Sequence, residues 1–263
     1  MSATGGPSRR RYARVRVCRV SERSAPSASD AWQGPQAVAD APRPTANAFL
    51  VLLDDTPLST PAKRTLAVPS RALAQAIADE WAAQGDRIEP ESMPLTTLAN
   101  SAIDGVAGRE ASVLDDIAGY AACDLLCYRA SEPATLMRRQ SEAWDGIVAW
   151  ASAALGVEFR VGTGLMPLAQ PENVRRAIAD ALASFDAFGL AAIHVITTLT
   201  GSALLALALA RGRLTAERSW AAAHVDEAFQ IERWGEDVEA QARHQRRWRV
   251  MHAASRTLEL LVR

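Results

Sequence analysis

The chain has 263 residues, a formal net charge of −1, 49% hydrophobic residues and 22% charged residues. That balance excludes a global field that would gather nucleic acid or anionic lipid, and it fits a globular protein of one large domain or two small ones. The three cysteines, Cys18, Cys123 and Cys127, lack zinc-knuckle spacing and read as buried reduced thiols of a cytosolic protein.

No apolar leader is visible, so no secretory signal is expected. The arginine-rich, acid-free opening has the composition of a mitochondrial transit peptide, but Tyr12, Val15, Val17 and Val20 nearly alternate with polar residues and favour a basic edge strand over 12–20. Residues 21–47 are rich in Ser, Ala and Pro without a period, which predicts a mobile insertion inside a hairpin. A second strand is expected over 48–53, a turn at Asp54-Asp55-Thr56-Pro57, and short strands over 58–60 and 65–68. The first section is therefore β-rich.

Ser70 is positioned to cap a helix running to Gln84, with Leu73, Ile77 and Trp81 on one face. Pro94 suits the first turn of a helix over 94–106. Further helices are predicted over 110–129, 132–155, from Pro171 to about Phe188, 215–234 and 236–262, with a short strand over 157–161. From Ala187 to Ala210 there is no charged side chain. As one helix, residues 189–210 could span a bilayer, yet His194, Thr197, Thr198 and Gly201 give it a polar or small stripe, and a buried central helix is expected instead. His194 reads as a hydrogen-bonded core residue.

Familiar catalytic patterns are missing. The single lysine, Lys63, has no glycine-rich loop before it, so a P-loop is ruled out. Gly162-Thr163-Gly164 lacks the third glycine of a dinucleotide fingerprint, and no Gly-x-Ser-x-Gly elbow occurs. His224 with Asp226 and Glu227 offers metal-ligating groups, but a solvated helix face is the simpler reading, because those acids point in different directions. There remains an acidic segment, Asp226, Glu227, Glu232, Glu236, Asp237 and Glu239, followed by Arg243, Arg246, Arg247 and Arg249. Glu239 and Arg243 form an i,i+4 pair. Phe229 and Trp234 lie among the acids, and aromatic anchors rimmed by charge are what a protein-binding surface needs.

Several runs occur in a specific order: Leu58-Ser59-Thr60-Pro61-Ala62-Lys63, Val68-Pro69-Ser70, Ala72-Leu73-Ala74, Glu80-Trp81 and Met93-Pro94-Leu95-Thr96-Thr97-Leu98-Ala99-Asn100. Asp124-Leu125-Leu126-Cys127-Tyr128-Arg129, Trp144-Asp145, Trp150, Val225-Asp226-Glu227-Ala228-Phe229-Gln230 and Trp234-Gly235 continue it. This set, spanning about residues 53 to 249, resembles the assembly chaperones of F-type ATP synthase that bind the free alpha subunit. Asp54-Asp55-Thr56 departs from the basic turn usual in that family, and the 21–47 insertion is longer than usual.

The resemblance implies an α+β N-terminal domain (1–90) followed by an all-α C-terminal domain (91–263), with helices packed around the central apolar helix. It implies a chaperone and not an enzyme, with no cofactor and no metal. The partner would be the alpha subunit, held until the beta subunit replaces the chaperone; nucleic acid binding and stable membrane insertion are not expected. A monomer is expected, in the bacterial cytoplasm, or in the mitochondrial matrix for a eukaryotic source. The partner-binding residues carried over are Asp226, Glu227, Phe229, Gln230 and Trp234, with Glu236 and Asp237 by adjacency. The alternatives are a membrane-attached assembly factor using the apolar helix, or a metal-dependent hydrolase using His224, Asp226 and Glu227.

Overall fold

The structure is a computed structural model and describes residues 9–22, 45–164, 166–235 and 237–262. Most of the expected insertion, residues 23–44, lies outside the described residues, as does Glu236. Two compact units are present: residues 1–108 together with 256–263, and residues 109–255. The division falls at 108/109 and not at the expected 90/91, and the last turns of the chain join the first unit.

In the first unit, β1 (Val15–Arg19), β2 (Phe49–Leu53), β3 (Thr56–Pro57) and β4 (Ala67–Val68) form an antiparallel sheet. Central β2 pairs along its length with β1, opposite Val15↔Leu53 to Arg19↔Phe49. Its other edge is shared by β3 and β4. β2 contributes a continuous buried run, Leu50, Val51 and Leu52, as a strand covered on both faces should. The expected strand over 58–60 is reduced to an isolated Ser59↔Thr65 bridge. Asp104 holds that corner instead: its carboxylate accepts from Thr60 Oγ1 (2.8 Å) and the Ala62 amide (3.1 Å).

α1 (Arg71–Ala82) packs on β1 and β2 through Leu73, Ala74, Ile77 and Ala78. Ser70 caps it by accepting from Leu73 N, and its hydroxyl donates to the Leu260 carbonyl. α2 (Pro94–Ser101) follows, and residues 102–106 form a π turn instead of continuing the α-helix. Glu80 of α1 closes the start of α2. Its carboxylate accepts from Leu95 N (2.7 Å), Thr96 N (2.8 Å) and Thr96 Oγ1 (2.7 Å); the two amides are among the unpaired donors every helix leaves at its first turn.

The second unit contains α3 (Glu110–Ala121), β5 (Tyr128–Arg129), α4 (Ala134–Leu155), β6 (Gly162–Thr163), α5 (Asn173–Leu182), α6 (Ala187–Thr200), α7 (Ala203–Ala210), α8 (Ala216–Ala223), α9 (Val225–Trp234) and most of α10 (Val238–Leu261). The α+β then helical order matches the expected fold class. Several boundaries do not. The predicted 110–129 helix stops at Ala121 and gives way to a 3-10 turn and β5, which pairs in parallel with β6. The short strand falls at 162–163, not at 157–161. The 215–234 helix is two, α8 and α9, broken at His224.

The apolar stretch 189–210 is likewise two helices. α6 ends where Gly201 turns left-handed (φ 67°), and Ser202 caps α7 by accepting from Leu205 N (3.0 Å). A glycine after one helix and a serine before the next is a stop-and-start signal. Residues 203 to 209 of α7 are all buried, and the helix packs against α3, α4, α6 and α8; α6 also buries Leu190, Ala192, Ile193 and Ile196, so both halves of the stretch lie in the core. Thr197 of the polar stripe, and Thr200 outside it, donate back to the Ile193 and Ile196 carbonyls. His194 is only partly buried, not a core residue.

Asp124 organises this core. It is fully buried; one oxygen accepts from Ser202 Oγ (2.7 Å) and Leu126 N (3.0 Å), and the other from Leu204 N (3.1 Å). It therefore ties the 125–127 turn to the start of α7. Burial pushes its carboxyl up to about 6, against the opposing pull of these donors. It also helps to raise Cys127, whose thiol burial takes to about 12; such a thiol is inert at neutral pH.

Candidate partner-binding surface

α9 carries most of the expected site, and its two faces have separate tasks. The inward face is anchored to α4. Asp226 accepts from Gln140 Nε2 (2.7 Å), and the same buried Gln140 accepts from Ala130 N (2.8 Å). Phe229 is 6% exposed, with the guanidinium groups of Arg139 and Arg233 at 5.4 Å and 4.8 Å from its ring. Arg139 also forms a two-pronged pair with Glu232 (2.9 Å and 2.7 Å), which lowers the Glu232 carboxyl. Below α9, Trp144 donates from its indole to the Ala222 carbonyl at the end of α8 (2.7 Å). Asp226 and Phe229 thus hold α9 to the fold.

The outward face is different. Glu227, Gln230, Ile231 and Trp234 follow the helical spacing 0, 3, 4, 7 and line an open groove of about 760 Å³. The opposite wall comes from α10, where Ala240, Arg243, His244 and Arg247 repeat that spacing. Trp234 is 75% exposed, and Ile231, one turn before it on the same helix face, is also exposed. Exposed apolar side chains rimmed by charge are what a protein-binding surface needs. Asp237 lines the groove, but its carboxylate is engaged in capping α10, accepting from the Glu239 and Ala240 amides. Of the seven residues singled out in the sequence, Glu227, Gln230, Trp234 and Asp237 meet in the groove and Asp226 and Phe229 do not. Glu236 lies outside the described residues.

The floor was not legible in advance. His224, between α8 and α9, is buried, and its Nδ1 is 2.8 Å from the Trp220 carbonyl. Trp220 stacks on it at 3.9 Å and donates its indole N–H to His244 Nε2 (2.8 Å). Burial lowers the His224 pKa, so the ring is neutral at neutral pH; the Trp220 carbonyl and Glu227 oppose that shift, while His244 and Arg247 add to it. Glu227 Oε2 lies 3.8 Å from His224 Nε2. The hydrolase set His224, Asp226 and Glu227 does not assemble, because Asp226 is turned toward Gln140. Among the described residues no helix is long and apolar enough to cross a membrane.

Comparison with known proteins gives a consistent result. The family model of the ATP12 chaperone protein matches residues 32–152, upstream of the groove. The crystal structure of Atp12 from Paracoccus denitrificans is similar over nearly the whole length, with 38% identity, a TM-score of 0.81, and 96% of this chain and 98% of that chain covered. A chaperone-like protein of Agrobacterium tumefaciens is 46% identical, with a TM-score of 0.79, over 82% of this chain and 81% of that chain. With whole-length similarity at this identity added to the family match, the chain belongs to the ATP12 chaperone family.

Proposed function

We propose that this chain is an assembly chaperone of F-type ATP synthase that binds the unassembled alpha subunit and prevents its aggregation until the beta subunit replaces it. The observation that carries the binding site is the exposed face of α9, with Trp234 and Ile231 as apolar anchors and Glu227 and Gln230 as polar groups not used to hold the fold. Family membership supports the chaperone role. A subunit awaiting its neighbour exposes apolar surface that favours aggregation, and a protein covering it lowers the free population of that surface by mass action. No catalysis is required: displacement needs only that the final neighbour bind the same surface more tightly.

Glu227 is the residue that would contact the partner through charge, facing an arginine or another hydrogen-bond donor. Among the described residues its ion-pair contact is to His224, at 3.8 Å, and its side chain is half-exposed. Reversing it by Glu227→Lys is expected to cost about 2–5 kcal/mol, roughly thirty-fold or more in affinity, if the carboxylate is buried against a partner cation. A solvated carboxylate would lose under about 1 kcal/mol. The test is aggregation of purified alpha subunit at fixed chaperone concentration, with circular dichroism to confirm the fold. Full protection by folded Glu227→Lys would remove Glu227 from the interface. Absence of protection by the wild-type protein would refute the chaperone reading itself.

A further inference from the structure

We propose that His224, Glu227 and His244 form a binding site for a divalent transition-metal ion of the zinc type. The three side chains come from different segments: His224 from the α8–α9 junction, Glu227 from the first turn of α9, and His244 from α10. One ligand atom from each lies within 4.8 Å of the others.

One contact prepares this set. The contact of His224 Nδ1 with the Trp220 carbonyl places the ring proton on Nδ1 and leaves the Nε2 lone pair toward Glu227, at 3.8 Å from Oε2. A backbone carbonyl fixing the second nitrogen is the usual way a metal-binding histidine is oriented. Bond lengths of about 2.0–2.2 Å around a tetrahedral ion place donor atoms about 3.4 Å apart. The His224–Glu227 pair needs a closure of only a few tenths of an ångström, which the half-exposed Glu227 side chain can supply. His244 is partly exposed and moves further. The open groove gives an ion a path, and leaves positions for water.

Two features limit the affinity. Ligation by His244 Nε2 displaces the indole N–H of Trp220. Arg243 and Arg247 line the same groove and repel a cation, although Arg243 pairs with Glu239 and Arg247 donates to the Leu199 carbonyl. The site is therefore expected to bind more weakly than a closed structural zinc site, and to be exchangeable. A bound ion would engage Glu227 and withdraw it from the docking face. That consequence rests on the proposed function; the existence of the metal site does not.

The test is calorimetric titration of the purified full chain with zinc chloride, in a Cys123→Ser background because that thiol is exposed. Saturable binding of one ion is expected, with affinity lowered by about tenfold or more in both His244→Gln and Glu227→Gln, since even loss of an outer-shell partner costs that much. Zinc should also raise the melting temperature of the parent protein, and less so in either variant. Glu227 and His244 lie on the partly exposed surface, so these substitutions leave the core intact. Absence of saturable binding would overturn the proposal, as would binding unchanged in both variants.

Discussion

Asp124→Asn tests whether a buried carboxyl, and not merely a hydrogen-bond acceptor, sits at the start of α7. Asp124 is fully enclosed and accepts from Ser202, Leu126 and Leu204. Its carboxyl titrates near 3.8 in the unfolded chain and is pushed up to about 6 in the folded one. Below the unfolded value both states carry the proton, and the site has no pH dependence. Between the two values the unfolded chain ionises while the folded one holds its proton, so the folded state loses stability as pH rises. Above about 6 both are ionised and the loss is complete; the gap of roughly two pKa units corresponds to about 3 kcal/mol.

Asparagine keeps the size and one acceptor oxygen but turns an amine toward a donor, and a buried unsatisfied donor costs about 1–3 kcal/mol at every pH. The difference in unfolding free energy between wild type and Asp124→Asn should therefore be largest in acid and shrink by up to about 3 kcal/mol toward neutral pH. Urea denaturation of both proteins across about pH 4.5 to 7.5 measures it. Taking the difference cancels the opposing contributions of Asp54, Glu217 and Glu232, whose carboxyls are lowered. A difference that stays flat, or that grows toward neutral pH, would refute a carboxyl destabilised by burial.

Leu204→Asp should abolish folding, because Leu204 is fully buried in α7 and an unpaired charge there costs several kcal/mol, on the order of total stability; a cooperatively folded Leu204→Asp protein by circular dichroism and urea titration would show that α7 is not central. Glu80→Ala removes the acceptor for two amides and one hydroxyl at the start of α2, and should lower stability by about 1–3 kcal/mol in the same titration. An unchanged midpoint would mean that those donors are met by water.

Much of the fold was readable from local chemistry. The Ser70 cap, the Asp54-Asp55 turn, the apolar run of β2 and the α1 face all follow from residue type and period. The amphipathic spacing of α9 was also present, and it separates Glu227, Gln230 and Trp234 from Asp226 and Phe229. That separation alone does not say which face is free, because both carry acids and an aromatic. Gln140 and Arg139 decide it, and they lie about ninety residues earlier in the chain.

The break at Gly201-Ser202 carried a local signal too, though an uninterrupted apolar run obscured it: hydrophobicity is a property of composition, whereas capping depends on backbone geometry at two residues. Residue order and type set where segments are apolar, where they turn, and that an acid and an aromatic recur on one helix. Packing between segments sets the rest: Asp124 is buried beneath α7, Glu80 closes α2, and His244 meets His224 and Glu227 in one groove. These are contacts between distant residues, and the spacing within a segment carries no information about which other segment will face it.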